Sequence, residues 1–520
     1  MAETLDTDWL PRRRFALLAA GLSLAGLAAL LRGFYHDDAY IALRYARSLL
    51  DGQGLVWNAG ERVEGYTSFL WVLATAALGK IGVDLEIASR VLGLASLLAL
   101  LGVIARRRGR PGAFACLMLA TSGPIIAWSF GGLETVGFAF LLTSALLAAA
   151  RLINAAGSAG AANGDVSWTE ALGTGVLFGL AELCRPEALL FFGVAATTLA
   201  PGAVRIPQQR RALAAFVCGF AVIFVCRLIW RVSYYGDLLP NTFAVKATAG
   251  WSDLLTGGRY LARFAAWCPA WTLLAAWAAV ASRGKRLERG EAATLFAIVL
   301  YLAYVATIGG DHMQWFRFVV PVLPISSLLI ARRLELAAGV RVAGRLPARF
   351  LLMSLCILNA GSSAALAIVQ EWTTPDPAAA HGRLVGLYIR EHWPADALVA
   401  LNTAGSTPYF SGLRAIDMLG LNDRTIARRH MPPPVADLPW ARLPGHRKGD
   451  GAYVLSRHPD YIILGGSEGS LNPWFVGDKE IVDNPAFADL YAVRDVTIPA
   501  RDTPGAFQFR YFELRSHGAR

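Results

Sequence analysis

Charged side chains are scarce in this chain of 520 residues: Asp, Glu, Lys and Arg make up 17% of it, against 55% hydrophobic residues. That balance excludes a soluble enzyme or a nucleic-acid-binding domain as the whole molecule. Cysteine is sparse as well. The six, Cys116, Cys184, Cys218, Cys226, Cys268 and Cys356, all lie in or beside apolar segments, so no disulfide framework is indicated in the polar C-terminal region. The eight histidines are scattered without a close pair, which leaves no zinc-type spacing. A P-loop is absent, as is a G-x-G-x-x-G opening of a strand-turn-helix unit, and this argues against direct use of ATP or a nucleotide-sugar.

What the chain does have is apolar runs of about 18–22 residues, the length at which a helix crosses roughly 30 Å of hydrocarbon. Its net charge of +11 is a topology signal: residues 371–520 hold 16 Lys+Arg against 17 Asp+Glu, so the whole excess lies in residues 1–370. Basic clusters at Arg106–Arg110, Arg151, Arg205–Arg211, Arg283–Arg289 and Arg332–Arg349 mark cytoplasmic loops, and Arg12, Arg13 and Arg14 hold the start of a retained first span over Met1–Leu31 inside. Further spans are expected near 85–105, 111–129, 133–151, 169–183, 187–200, 212–233, 259–281, 291–308, 315–331 and 350–370, eleven crossings in all. Tyr66–Lys80 is assigned to an interfacial or re-entrant helix, because a crossing there would deliver Arg106 to the outside. The connector Asn154–Asp165 is rich in Ala, Gly, Ser and Asn.

From Glu371 the composition turns Pro-, Gly- and Asp-rich, with β-type runs at Leu398–Leu401 and Tyr461–Leu464 and a helical pattern around Gly382–His392. The expected architecture is an α-helical polytopic membrane domain over residues 1–370, with an interfacial helix in its first outer loop, followed by a soluble α/β domain over 371–520 outside the membrane.

The chemistry concentrates just beyond the first span, where Asp37 and Asp38 precede an amphipathic helix containing Arg44. Such a carboxylate acts as a general base toward a hydroxyl if it lies within hydrogen-bond reach; it also serves as a helix cap. Outward-facing span ends carry further polar residues: Glu64 and Tyr66, Glu134, Arg185 and Glu187, Asn241 and Lys246, and Asp311, His312 and Arg317. Ionisable groups there are costly in hydrocarbon and usually face a cavity, so Arg44, Arg185, Lys246 and Arg317 are candidate contacts to a lipid phosphate. Glu64, Tyr66, Glu134, Glu187, Asn241, Asp311 and His312 are candidate substrate contacts. Each has a simpler reading, as an ion pair, a cap or a snorkelling side chain. No cofactor is demanded, and a divalent cation shared by the Asp37–Asp38 and Asp311–His312 pairs stays open.

These stretches resemble a known family. Asp37-Asp38-Ala39-Tyr40-Ile41-Ala42-Leu43-Arg44-Tyr45, Gly54-Leu55-Val56-Trp57-Asn58 and Glu64-Gly65-Tyr66-Thr67-Ser68 are similar to the C-type multi-spanning glycosyltransferases, most of all the terminal mycobacterial β-1,2-arabinofuranosyltransferases. The likeness continues through Gly132-Leu133-Glu134-Thr135, Arg185-Pro186-Glu187, Leu239-Pro240-Asn241-Thr242, Gly309-Gly310-Asp311 and Asp417-Met418-Leu419-Gly420-Leu421-Asn422-Asp423. The resemblance implies a sugar donor on a polyprenyl phosphate, a catalytic carboxylate at Asp37 or Asp38, an extracytoplasmic cell-envelope glycan as acceptor and a multi-pass protein of the bacterial inner membrane. Asn402, Asp417, Asn422 and Asp423 are candidate acceptor contacts, with turn roles as the alternative. Nothing in the sequence selects arabinofuranose over another pentose or hexose. A lipid-linked glycan transporter and a non-catalytic envelope scaffold are the rival classes.

Overall fold

A computed structural model describes residues 21–106, 110–157, 167–246, 250–336, 348–431, 438, 440, 443–499 and 506–515. The first span up to residue 20, with Arg12–Arg14, lies outside these residues, as do the connector from residue 158 and the stretch 337–347. Five stretches are long and apolar enough to cross a membrane: Leu85–Ala105, Thr135–Gly157, Pro207–Tyr235, Arg289–Thr307 and Gln314–Leu336. Two more pass only as bent pairs, Pro111–Ala120 with Gly123–Phe130 at 63° and Trp251–Trp267 with Pro269–Ala281 at 89°.

Among the described residues the count is therefore five to seven, and the eleven expected crossings are not all matched by spanning helices. The breaks have a physical cause. Pro124 and Pro269 each sit in the first turn of the second helix of a pair, where a missing N–H is tolerated but the preceding helix cannot run through. Phe69–Lys80 has 12 residues, about 18 Å of helix, too short for a crossing.

The C-terminal part carries a five-stranded sheet in the order β2-β1-β3-β5-β4, from β1 (Leu398–Leu401), β2 (Arg414–Asp417), β3 (Tyr461–Ile463), β4 (Tyr491–Pro499) and β5 (Ala506–Leu514). The first three strands are parallel; β5 runs antiparallel to β3 and forms a hairpin with β4. Helix Pro377–His392 is capped by Asp376. Its buried residues Ala379, Val385 and Ile389 belong to the same apolar core as the membrane helices.

The helix Asp37–Leu50 lies between the two parts and is buried along most of its length. Asp37 turns toward the sheet: its carboxylate accepts from the amides of Gly405 (3.1 Å) and Ser406 (2.7 Å) and from the Ser406 hydroxyl (2.7 Å). Asp376 in turn accepts from the Asp37 amide at 2.6 Å. About two turns on, Arg44 donates to the carbonyls of Trp57 and Leu413, each at 2.7 Å, to Asn58 and to the Pro408 carbonyl. Asn58 exchanges hydrogen bonds with the backbone of Ala415 in edge strand β2. The segment from Asp37 to Asn58 is thereby locked onto the α/β part by buried polar groups, whose loss would leave donors and acceptors unpaired.

A Cβ at Gly405 would collide with the Asp37 carboxylate and carbonyl. Gly405→Ala is therefore expected to destabilise the folded protein by about 2–3 kcal/mol. Thermal unfolding in detergent checks this; an unchanged transition would contradict the packing described.

Candidate active site

The residues that flank the first turn of Asp37–Leu50 enclose a cavity lined by Asp38, Tyr66, Thr67, Ser68, Glu134, Arg185, Thr242, Lys246 and Arg317, closed by apolar Ile41, Leu133 and Leu421. Five separate pieces of chain deliver its charges. Arg185 follows the helix Trp168–Cys184 in extended conformation, and Lys246 ends the short helix Asn241–Lys246. Arg317 leaves an irregular stretch in which Trp315 and Phe316 have positive φ, 58° and 50°. Non-glycine residues adopt that conformation only when their surroundings impose it. Here the Trp315 indole is fully buried and donates to the Trp372 carbonyl at 3.0 Å.

The cations differ in how far they are compensated. Arg185 bonds Glu134 at 2.9 Å and Glu187 at 2.7 Å, and Arg317 bonds Asp311 at 2.8 Å. Lys246 makes no ion pair among the described residues, and neither does Asp38, whose carboxylate accepts no hydrogen bond there. Burial opposes ionisation of Asp38, but His36, Lys246, Arg317 and His312 outweigh it and hold its carboxyl below the usual range. Burial and the neighbouring Arg317 push the Lys246 ammonium below its ordinary value. Asp37 moves the other way, raised by burial and then by Asp376. Adjacent acids thus have opposite surroundings: one is enclosed in a protein junction, the other faces a polar cavity beside unspent positive charge.

Several sequence-predicted residues lie elsewhere. Arg44 is not at the cavity, since its guanidinium is committed to the junction. Glu64 is buried between Arg227 and Arg231 of the helix Pro207–Tyr235, bonding the latter at 2.7 Å, and the loop Gly65–Ser68 that follows it lines the cavity. The Tyr66 hydroxyl meets Tyr235 at 3.1 Å. Asn241 donates to the carbonyls of Gly420 and Leu421. His312 is solvent-accessible, 3.6 Å from Asp311.

The four candidate acceptor contacts turn inward. Asn402 bonds Asp478 at 2.8 Å, Asp417 accepts from the Leu419, Gly420 and Asn422 amides, Asn422 meets the Tyr45 hydroxyl at 3.1 Å, and Asp423 caps the helix Arg424–Arg428. These are the turn and cap roles open to such residues. Among the described residues, no three His, Cys, Asp or Glu side chains gather as a metal-binding set. Thr67 and Ser68, open in the sequence to a ligand role or a helix cap, line the cavity with Thr242; the sequence did not point to His446, whose ring lies 4.7 Å from that of His312.

The fold, a bundle of apolar helices carrying an α/β portion, is that of a multi-pass membrane protein. Its backbone matches the crystal structure of ArnT from Cupriavidus metallidurans bound to undecaprenyl phosphate with a TM-score of 0.52 and 16% identity, over 79% of this chain and 86% of that one. In sequence the chain is similar to terminal beta-(1->2)-arabinofuranosyltransferases. The Mycobacterium tuberculosis protein is 28% identical over 266 residues, 47% of this chain and 40% of the relative. The Corynebacterium glutamicum protein is 28% identical over 349 residues, 60% of this chain and 49% of the relative. The chain thus spans less than half the length of the curated relatives it matches. Residues 370–509 match a family model described as a domain of unknown function (DUF8728).

An unpaired ammonium in a cavity is an anion site whose strength follows its charge. With its pKa lowered, Lys246 discharges as pH rises through a value below the ordinary lysine range, so affinity of the cavity for an anion such as a phosphate monoester is expected to fall there. Lys246→Arg keeps its charge and should move that alkaline fall upward. Titration of binding between about pH 7 and 11 checks it; coincident profiles for both proteins would exclude Lys246.

Proposed function

We propose that the chain is a membrane glycosyltransferase that moves a sugar from a polyprenyl-phosphate donor to a cell-envelope glycan on the outer side of the bacterial inner membrane. The observation that carries this reading is the pairing, in one cavity, of an uncompensated carboxylate, Asp38, with an uncompensated cation, Lys246. It is supported by the names of the relatives similar in sequence and by the polyprenyl phosphate held by the ArnT structure of like fold. Arabinofuranose is the donor sugar those names favour.

In the proposed step the acceptor hydroxyl oxygen bonds to the anomeric carbon as the bond from that carbon to the phosphate oxygen breaks. The electron pair leaves with the phosphate, and the hydroxyl proton passes to Asp38. For this Asp38 must be ionised, which the positive surroundings secure. Lys246 and Arg317 stabilise the charge developing on the departing phosphate. Arg185, held between Glu134 and Glu187, contributes a fixed dipolar wall more than a free charge. Asp37 has no part in proton transfer and secures the helix on which Asp38 stands.

Asp38→Asn should lower transfer from a radiolabelled polyprenyl-phosphate sugar in proteoliposomes by about 100-fold or more, with thermal unfolding unchanged. Wild-type turnover in that variant would remove the proposed base. Neutralising Lys246 and Arg317 together should raise the KM for donor and lower kcat; unaltered kinetics would reject the phosphate assignment.

A further inference from the structure

A series of aromatic rings leads from the surface of the α/β part to the cavity. Trp440 is 40% exposed and lies nearly parallel to half-buried Trp474, with ring centroids 6.0 Å apart and an interplanar angle of 14°. Trp440 also approaches His446 at 6.4 Å, and the His446 ring is stacked on Phe475 at 5.9 Å and 17°. His446 meets His312 edge to face at 4.7 Å, and His312 in turn lies 6.4 Å from His36, the residue that caps the helix bearing Asp38. The backbone under His446 is close to the proposed phosphate site: a Cβ at Gly445 would stand 3.6 Å from the Lys246 side chain. An ion pair between Arg447 and Asp253 ties this loop to the helix Trp251–Trp267.

We propose that this strip, Trp474, Trp440, Phe475, His446 and His312, is the binding track for the acceptor, and that its ligand is a neutral carbohydrate chain. The assignment rests on the transferase reading above. Three features select the ligand. Trp440, Trp474, His446 and His312 are flat, partly exposed rings with polar N–H edges, backed by buried Phe475, and so match sugar rings that present C–H faces and hydroxyl rims. Four of its five rings, Trp474, Trp440, Phe475 and His446, belong to the α/β part, and His312 lies in the turn between two apolar helices, so the strip is built for a water-borne ligand reaching the membrane part from outside it. It ends beside Asp38, the group that must meet the acceptor hydroxyl, whereas the side chains first considered for this task, Asn402, Asp417, Asn422 and Asp423, are spent on internal hydrogen bonds.

The test uses the full chain in nanodiscs with Asp38→Asn as background, so that binding is read without turnover. Arabinofuranosyl and mannosyl tetrasaccharides serve as probes, followed by saturation-transfer NMR. At least one should bind, and Trp440→Ala or Trp474→Ala should weaken it by about tenfold, with the corresponding Phe variants restoring most of the affinity. In the otherwise wild-type chain the same Ala variants should raise the acceptor KM and leave the donor KM and the unfolding temperature as they were. Absence of binding by both probes, or equal binding in the Ala variants, would overturn the assignment. If binding behaves as stated while no sugar transfer is found in the wild type, the carbohydrate track stands and the transferase reading falls.

Discussion

A carboxylate removed from water needs donors on all sides, and Asp37 obtains them from a different part of the chain, the first turn after β1. The geometry of the cavity follows from that requirement. Successive residues of a helix point about 100° apart, so the two adjacent acids cannot serve the same centre. Once Asp37 is committed to Gly405 and Ser406, Asp38 is turned toward Lys246 and Arg317. The acid pair is therefore divided between holding the protein together and facing the ligand.

The place where Asp37 is received has its own logic. The strand order β2-β1-β3 puts a switch of direction between β1 and β3, and in open α/β sheets ligands bind at the carboxyl ends of strands at such a point. Here the crevice is filled from within. Asp37 enters after β1, while Asn402 and Asp478 join across it and Ser467 reaches the Ala378 carbonyl. The α/β part has converted a ligand crevice into a socket for the membrane part, which frees the neighbouring loops around Trp440, His446 and Trp474 to meet something else.

Much of the site was legible because unusual charge at span ends is informative in an apolar chain: Asp38, Tyr66, Glu134, Arg185, Lys246 and Arg317 come from distant stretches and line one cavity. Strands β1 and β3 were legible as short β-branched and apolar runs. Other roles were hidden for physical reasons. Nothing local to Asp37 distinguishes it from Asp38, because its partners lie more than 300 residues away. Arg44 reads as a free cation until the carbonyls of Pro408 and Leu413 arrive beside it. The compensation of Glu64 depends on Arg227 and Arg231 within a long apolar helix, where composition alone assigns no partner. Apolar length does not register the bends at Ser122 and Cys268. The hairpin β4–β5 carries alternating polar and apolar residues whose pairing only the fold supplies.

What distinguishes the cavity is the imbalance of its charges more than their number. Arg185 and Arg317 have their own carboxylates, whereas Lys246 and Asp38 face the opening without partners. A polar cavity with this division offers positive charge at one wall and a carboxylate at the other, as the proposed transfer requires. The most direct measurement is an experimental structure of the full chain with undecaprenyl phosphate. The phosphate is predicted on Lys246 and Arg317, with the Asp38 carboxylate beside it and Asp37 still bound to Gly405 and Ser406. A phosphate held away from Lys246, or Asp37 released into the cavity beside Asp38, would contradict it.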